Sequence, residues 1–157
     1  MVGYLILDAL VGNTDRHHQN WGVIVEGKIN PENQASFRLQ LAPTFDHASS
    51  LGRELTDEAR ERFIQEKTIE RYIRKGKGGI FERQGAKHGM SPMALAHLLA
   101  RRYPELFHVW HGRVKLLREE DFDFLLNRVP ENRMSAAARK FAFAFLTTSR
   151  KLILDAL

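Results

Sequence analysis

The stretch Leu10-Val11-Gly12-Asn13-Thr14-Asp15-Arg16-His17-His18-Gln19-Asn20-Trp21-Gly22 sets one Asp, one Arg, two His and three amides between two apolar segments. Before it, Tyr4 to Val11 is almost wholly apolar. After it, Trp21-Gly22-Val23-Ile24-Val25 is a short β-branched run of the kind that forms a buried strand. A polar loop held between two buried elements is where reactive groups sit, because a rigid frame positions side chains that are not needed for packing.

Outward from this loop the chain organises itself. Met1 to Leu10 reads as a helix or the end of one, apolar nearly all round with Gly3 as its only interior breaker. A chain that opens in mid-core is expected to be incomplete, to lack an upstream partner, or to dock its start tightly. Downstream, Trp21 to Glu26 is expected to form a strand, and Gly27 to Gln34 carries turn residues. Ser36 to Leu41 alternates with period two as a half-buried second strand should. Pro43 ends that strand, and a second polar loop follows in Thr44-Phe45-Asp46-His47-Ala48-Ser49-Ser50-Leu51-Gly52. The hairpin therefore brings Asp46 back toward Asp15 and Asn20.

The remainder is helical in pattern. Thr56 caps a helix expected from Asp57 to about Ile73, with acidic residues early and basic residues late to suit the helix dipole. The glycine-rich, basic segment Arg74 to Arg83 reads as a mobile loop. Ser91-Pro92 opens a helix that Pro104 stops; Glu105 to Leu117 and Glu119 to Asn127 are two shorter helices, and Ser135 caps a long final one containing Phe141, Phe143 and Phe145. These phenylalanines, with Trp21 and Trp110, are read as packing rather than as a base-stacking platform. The fold class is mainly α (α+β), helical with one small β-hairpin between the two polar loops.

Composition sets the bounds. A chain of 157 residues suits one domain, and 43% hydrophobic with 27% charged residues is ordinary for a globular protein. No run is long enough for a membrane span, the amino terminus has no secretory signal pattern, and cysteine is absent, which excludes disulfides and thiolate metal sites. A cytoplasmic location is the default. The excess of Lys and Arg over Asp and Glu, 24 against 19, suits nucleotides, nucleic acids or anionic surfaces, or simply a solvated basic face.

Asp15 and Asn20 form Asp-x-x-x-x-Asn, and Asp46 follows after a strand pair. Phosphoryl transfer from a magnesium nucleotide needs this set. One carboxylate orients the acceptor hydroxyl and takes its proton, and an amide with a second carboxylate holds the metal. Magnesium asks few oxygens of a protein, since phosphate and water fill its remaining positions.

These residues also carry a resemblance. Val11-Gly12-Asn13-Thr14-Asp15-Arg16-His17-His18-Gln19-Asn20-Trp21, with Leu41-Ala42-Pro43-Thr44-Phe45-Asp46-His47, resembles the C-terminal lobe of HipA-like serine/threonine kinases, toxin components of bacterial toxin–antitoxin systems. The Asp-Arg-His-x-x-Asn core is also similar to that of phosphatidylinositol kinases. The resemblance covers about Leu5 to Leu51. It implies a protein-kinase-like C-lobe, ATP and Mg2+ as cofactors, Asp15 as catalytic base, and Asn20 and Asp46 as metal ligands. Arg16 and His17 are expected to support the loop, Arg16 by offsetting charge beside Asp15. It further implies a protein substrate with a Ser or Thr acceptor, an antitoxin or a missing N-lobe as partner, DNA only through such a partner, and no membrane.

Two features depart from the pattern. Asp46 is followed by His47-Ala48, so an Asp-Phe-Gly motif is absent, and a β-rich lobe with a phosphate-covering loop and lysine is not among these 157 residues and is expected to be supplied from elsewhere. Gly76-Lys77-Gly78-Gly79 does not replace that loop: its chain order is wrong and it has no flanking strand pair. An activation or substrate-facing segment, or plain solvent exposure, fits it better. The alternatives of a different kind are a non-catalytic, kinase-derived module that binds a regulator or DNA, and a lipid kinase.

Overall fold

The computed structural model describes residues 1–29 and 35–157. Helix α1 (Val2–Val11) leads into the polar loop, which contains one 3-10 turn at His18–Asn20. Strands β1 (Val23–Ile29) and β2 (Ala35–Leu41) follow, then α2 (Asp57–Gln65), α3 (Ile69–Lys75), α4 (Pro92–Arg102), α5 (Pro104–Leu116), α6 (Glu119–Asn127) and α7 (Ala136–Leu154). Of the expected turn, Gly27 to Ile29 belongs to β1, and Asn30 to Gln34 lies outside the described residues.

Helix α7 is the hub and packs against all the other helices. Its buried Phe141, Ala142, Phe145, Leu146 and Ile153 recur at helical spacing and supply the stripe that the rest covers. Ser135, Ser91 and Thr56 cap α7, α4 and α2 by accepting backbone N–H groups three residues on, as their positions before the apolar runs require. Helix α1 ends at Gly12, whose φ of 69° places it in the left-handed region that a helix C-terminus favours for glycine.

One expected helix is two. The chain turns at Glu66–Thr68, where Lys67 takes a φ of 54° and the Thr68 N–H returns to the Phe63 carbonyl. The break lets Phe63 and Tyr72, on different helices, meet each other at 5.0 Å and both reach Phe141. Tertiary aromatic packing here overrides a sequence pattern that is helical throughout.

The hairpin corrects a second expectation. Its antiparallel register pairs Val23 with Leu41, Val25 with Leu39, Gly27 with Phe37 and Ile29 with Ala35. Directly opposed residues share a face, so one face is wholly apolar, while Glu26, Lys28, Ser36, Arg38 and Gln40 lie with Ile24 on the other. The alternation expected from sequence is present, but neither strand is buried: Val25, Phe37 and Leu39 are 60%, 71% and 68% exposed. The hairpin stands off the helical body and forms the whole two-stranded sheet among the described residues.

Candidate functional site

The polar loop is built on a buried ion pair. Asp8, the one charge inside α1, and Arg16, eight residues on, are each 2% exposed. Arg16 donates from Nε to Asp8 Oδ2 at 2.7 Å and from Nη2 to Oδ1 at 2.9 Å. Burying two charges is unfavourable unless they pair and satisfy their other valences. The guanidinium does so by also donating to the Asn20 carbonyl at 2.9 Å, the Phe45 carbonyl at 3.3 Å and Thr44 Oγ1 at 2.8 Å. The hydrogen bond to Asp8 holds the Arg16 pKa above its ordinary value against the opposing effect of burial. One side chain thus ties α1, the Asp15 loop and the Asp46 loop together. Arg16 is directed at Asp8, not at Asp15.

Asn13 completes the clip. Its amide donates to Asp8 Oδ1 at 3.0 Å, and its Oδ1 accepts the Asp15 backbone N–H at 3.1 Å. Asp15 itself is exposed, and its carboxylate makes no ion pair among the described residues. The second loop is laced to the first by backbone hydrogen bonds from Thr14 to the Ser49 carbonyl at 3.3 Å and from Leu51 to the Val11 carbonyl at 2.8 Å.

Asn20 and Asp46 are brought into contact. The Asn20 amide donates to Asp46 Oδ2 at 2.8 Å, and Asn20 Oδ1 accepts the His17 backbone N–H at 3.0 Å. His17 Nδ1 in turn accepts from the Gln19 N–H at 3.2 Å, which closes the 3-10 turn around the Asn20 side chain. Asp46 sits at a φ of 57°, a left-handed conformation that Asp tolerates better than most residues but still at a cost of about 1 kcal/mol. The strain is held where a carboxylate is presented to solvent beside a buried amide.

Magnesium is a reasonable fit to this pair. Asp46 has a carboxylate edge toward solvent, whereas Asn20 turns its amide nitrogen to Asp46 and its Oδ1 to the His17 N–H, so Asn20 would offer an oxygen to the metal only with its amide turned over. An amide oxygen and a carboxylate are hard donors of the type magnesium takes when phosphate and water complete the shell.

Asp8 and Asn13 did not stand out as site residues in the sequence, although a signal existed. A lone carboxylate in an otherwise apolar helix has to be paired when buried, and Arg16 is the nearest cation in the following loop. The glycine-rich segment also differs from expectation. Gly78 N–H donates to the Met90 carbonyl at 2.9 Å, and Met90 N–H to the Ile80 carbonyl at 2.7 Å, so the segment is tied in place. Gly79 lies so close beneath the Asp15 loop that a Cβ there would stand 2.8 Å from the Arg16 carbonyl oxygen.

No family model matches the chain, and no curated protein matches it. Among solved structures, the crystal structure of a Helicobacter pylori proinflammatory kinase, CtkA, superposes with a TM-score of 0.73 at 18% identity. The fold is kinase-like. The match covers 99% of this chain and 50% of that one, so the chain spans half the length of the kinase it resembles. Seven helices with one antiparallel hairpin, among the described residues, agree with a kinase-like C-lobe. No helix among them is long and apolar enough to cross a membrane.

Proposed function

We propose that the protein is the C-lobe of a HipA-like serine/threonine kinase, incomplete or weakly active alone, that with the lobe completing the phosphate clamp transfers the ATP γ-phosphate to a Ser or Thr hydroxyl with magnesium. The observation that carries this reading is the 2.8 Å contact between Asn20 and Asp46, held beside an exposed Asp15 by the buried Asp8–Arg16 pair. Asp15 orients the acceptor hydroxyl and takes its proton as the oxygen bonds to the γ-phosphorus and the bond to the β–γ bridging oxygen breaks. Asn20 and Asp46 would hold magnesium, which would offset charge on the nucleotide phosphates. Arg16 and His17 position the loop without touching the reacting groups.

The apolar face of the hairpin supports a second part of the reading. The hairpin joins the Asn20 turn to the Asp46 loop, so a partner that covered its exposed Val25, Phe37 and Leu39 would bind the segment that links the two proposed metal ligands. The occupant we propose is a β-rich lobe that brings the phosphate-covering loop and lysine. A role as a toxin and an antitoxin partner that links the protein to DNA follow from the resemblance to HipA-like kinases, and with the default cytoplasmic setting belong to the same proposal.

Calorimetric titration with ATP, with and without magnesium, followed by phosphate transfer to a Ser/Thr protein substrate, tests the reading. For the 157-residue chain alone, weak magnesium-dependent binding lost in Asp46→Ala, and poor transfer lost in Asp15→Ala with binding retained, are expected; robust transfer by the chain alone would overturn the need for a further lobe. Absence of nucleotide binding together with salt-sensitive DNA binding would replace the enzyme with an interaction module. Transfer to inositol lipid but not to protein would make it a lipid kinase.

A further inference from the structure

The turn at Glu66–Thr68 that separates α2 from α3 also opens a cleft of about 430 Å³, lined from both helices. Arg62 enters it from the last turn of α2, and Arg71 and Lys75 from α3, four residues apart and so on one helix face. All three cations are exposed, and none forms an ion pair among the described residues. The neighbouring Arg74, by contrast, is engaged by Glu70 at 2.8 Å. Glu66 is the carboxylate on the cleft wall, so two of the three positive charges are left uncompensated.

The surroundings strengthen that charge. The partly buried rings of Phe63 and Tyr72, 5.0 Å apart, form the apolar side of the cleft, and charges against such a wall interact more strongly than in open water. Thr68, also on the wall, has a buried hydroxyl that makes no hydrogen bond. Such groups are normally satisfied, so the wall holds polar capacity that the protein itself leaves unused. Gly76, which follows Lys75, lies against Thr14, where a Cβ would stand 3.6 Å from Cγ2. The cations therefore stand on the flank of the loop that presents Asp15.

We infer that this cleft binds the phosphate of a phosphorylated Ser or Thr in a protein segment lying along the Asp15 loop, so that the preferred substrate already carries a phosphate near its acceptor. The meaning of this inference rests on the kinase reading, but the binding itself is tested without it. A phosphomonoester carries about −1.5 to −2 charges at neutral pH, which matches the uncompensated charge; a single carboxylate matches half of it. The guanidinium groups of Arg62 and Arg71 are planar forks suited to phosphate oxygens, and Lys75 adds a point charge. A nucleic acid fits less well, because Glu66 and Glu70 interrupt the cations and leave no continuous basic track for successive phosphates. Free phosphate would use the charge but not the surface that leads to Thr14.

The test uses the 157-residue chain and three fluorescent pools of nonapeptides, alike except for Ser, Glu or phosphoserine at the central position. Anisotropy titration is done without nucleotide. The phosphoserine pool is expected to bind about tenfold more tightly than either other pool. Arg62→Ala with Arg71→Ala, both at exposed positions, is expected to remove that preference with the circular dichroism spectrum unchanged. Arg74→Ala, which loses a cation already held by Glu70, should keep it. Equal binding of the three pools overturns the inference, as does a preference that survives the double variant or is lost equally in Arg74→Ala. Displacement by inorganic phosphate at concentrations no higher than unlabelled phosphopeptide requires overturns it in favour of a free-anion site. The same result with a single-stranded oligonucleotide overturns it in favour of a nucleic-acid surface. Phosphopeptide preference without magnesium-dependent ATP binding would break the kinase reading alone, and the converse pattern would break only this one.

Discussion

The Asp15 loop and the hairpin that follows it are inverted relative to each other. The most polar stretch of the chain holds an almost fully buried Asp8–Arg16 pair with its hydrogen-bonding valences filled, while the most regularly apolar strands turn their apolar face to solvent. Burial therefore follows the satisfaction of partners and not residue polarity alone. The loop is complete within the helical body. The hairpin contributes its backbone ladder and little else to that body, and is free to serve as a surface.

The contrast predicts a graded set of responses. The largest comes from Arg16→Met, which strands Asp8 in the core and is expected to cost about 3–5 kcal/mol in chemical denaturation. The double variant Asp8→Leu with Arg16→Met should recover part of that loss while still failing to bind magnesium nucleotide, because the links to Asn20, Thr44 and Phe45 are gone. A double variant no more stable than the single one would break the claim that the buried pair sets the loop.

Asp46 sharpens the same comparison at a strained position. Asp46→Gly and Asp46→Ala should both lose magnesium-dependent ATP binding, yet the glycine variant should be the more stable by about 1 kcal/mol, since only it relaxes the left-handed backbone. Equal stabilities would show that the strain is released on substitution by movement of the loop.

On the exposed side, Val25→Ser with Leu39→Ser is expected to change unfolding free energy by less than about 0.5 kcal/mol, as for surface positions generally. A larger loss in thermal or chemical unfolding would show that the hairpin does support the body. A response read by titration is expected beside the Asp46 loop, where Asp57 and Ser135 line one cleft with His47 and where the Ser135 hydroxyl, and then Arg60, hold the Asp57 pKa below its ordinary value. The favourable contribution of this group is present above the unfolded-state carboxylate pKa and fades as pH falls through the lowered folded value. Ser135→Ala should move the Asp57 pKa upward in an NMR titration, beside a loss of about 1 kcal/mol from the missing α7 cap. It should also leave the Asp15 loop unchanged.

Much of the architecture was legible because local signals were strong. The caps at Thr56, Ser91 and Ser135, the prolines at 92 and 104, and the period-two alternation from 36 to 41 each correspond to an observed element. The juxtaposition of Asn20 with Asp46 followed from seeing a hairpin between them. The division of the 57–73 helix was not legible, since nothing in Glu66-Lys67-Thr68 forbids a helix; the aromatic cluster on Phe141 decides it. Nor was the use of Gly78 and Gly79, which reads as looseness in sequence and is close packing in space.

By itself the sequence determined which groups can do chemistry and their order along the chain, because residue type sets proton affinity and ligand hardness, and spacing sets what a short loop can present. It also determined the helices whose caps and apolar periodicity are local. Only the tertiary structure decided which polar groups are buried and which apolar ones are exposed, since that depends on partners distant in the chain. Asp8 finds Arg16, Asn20 finds Asp46, and Gly76 comes to lie against Thr14. The loop around Asp15 is thus specified by its own residues and positioned by the packing of α1 against the rest.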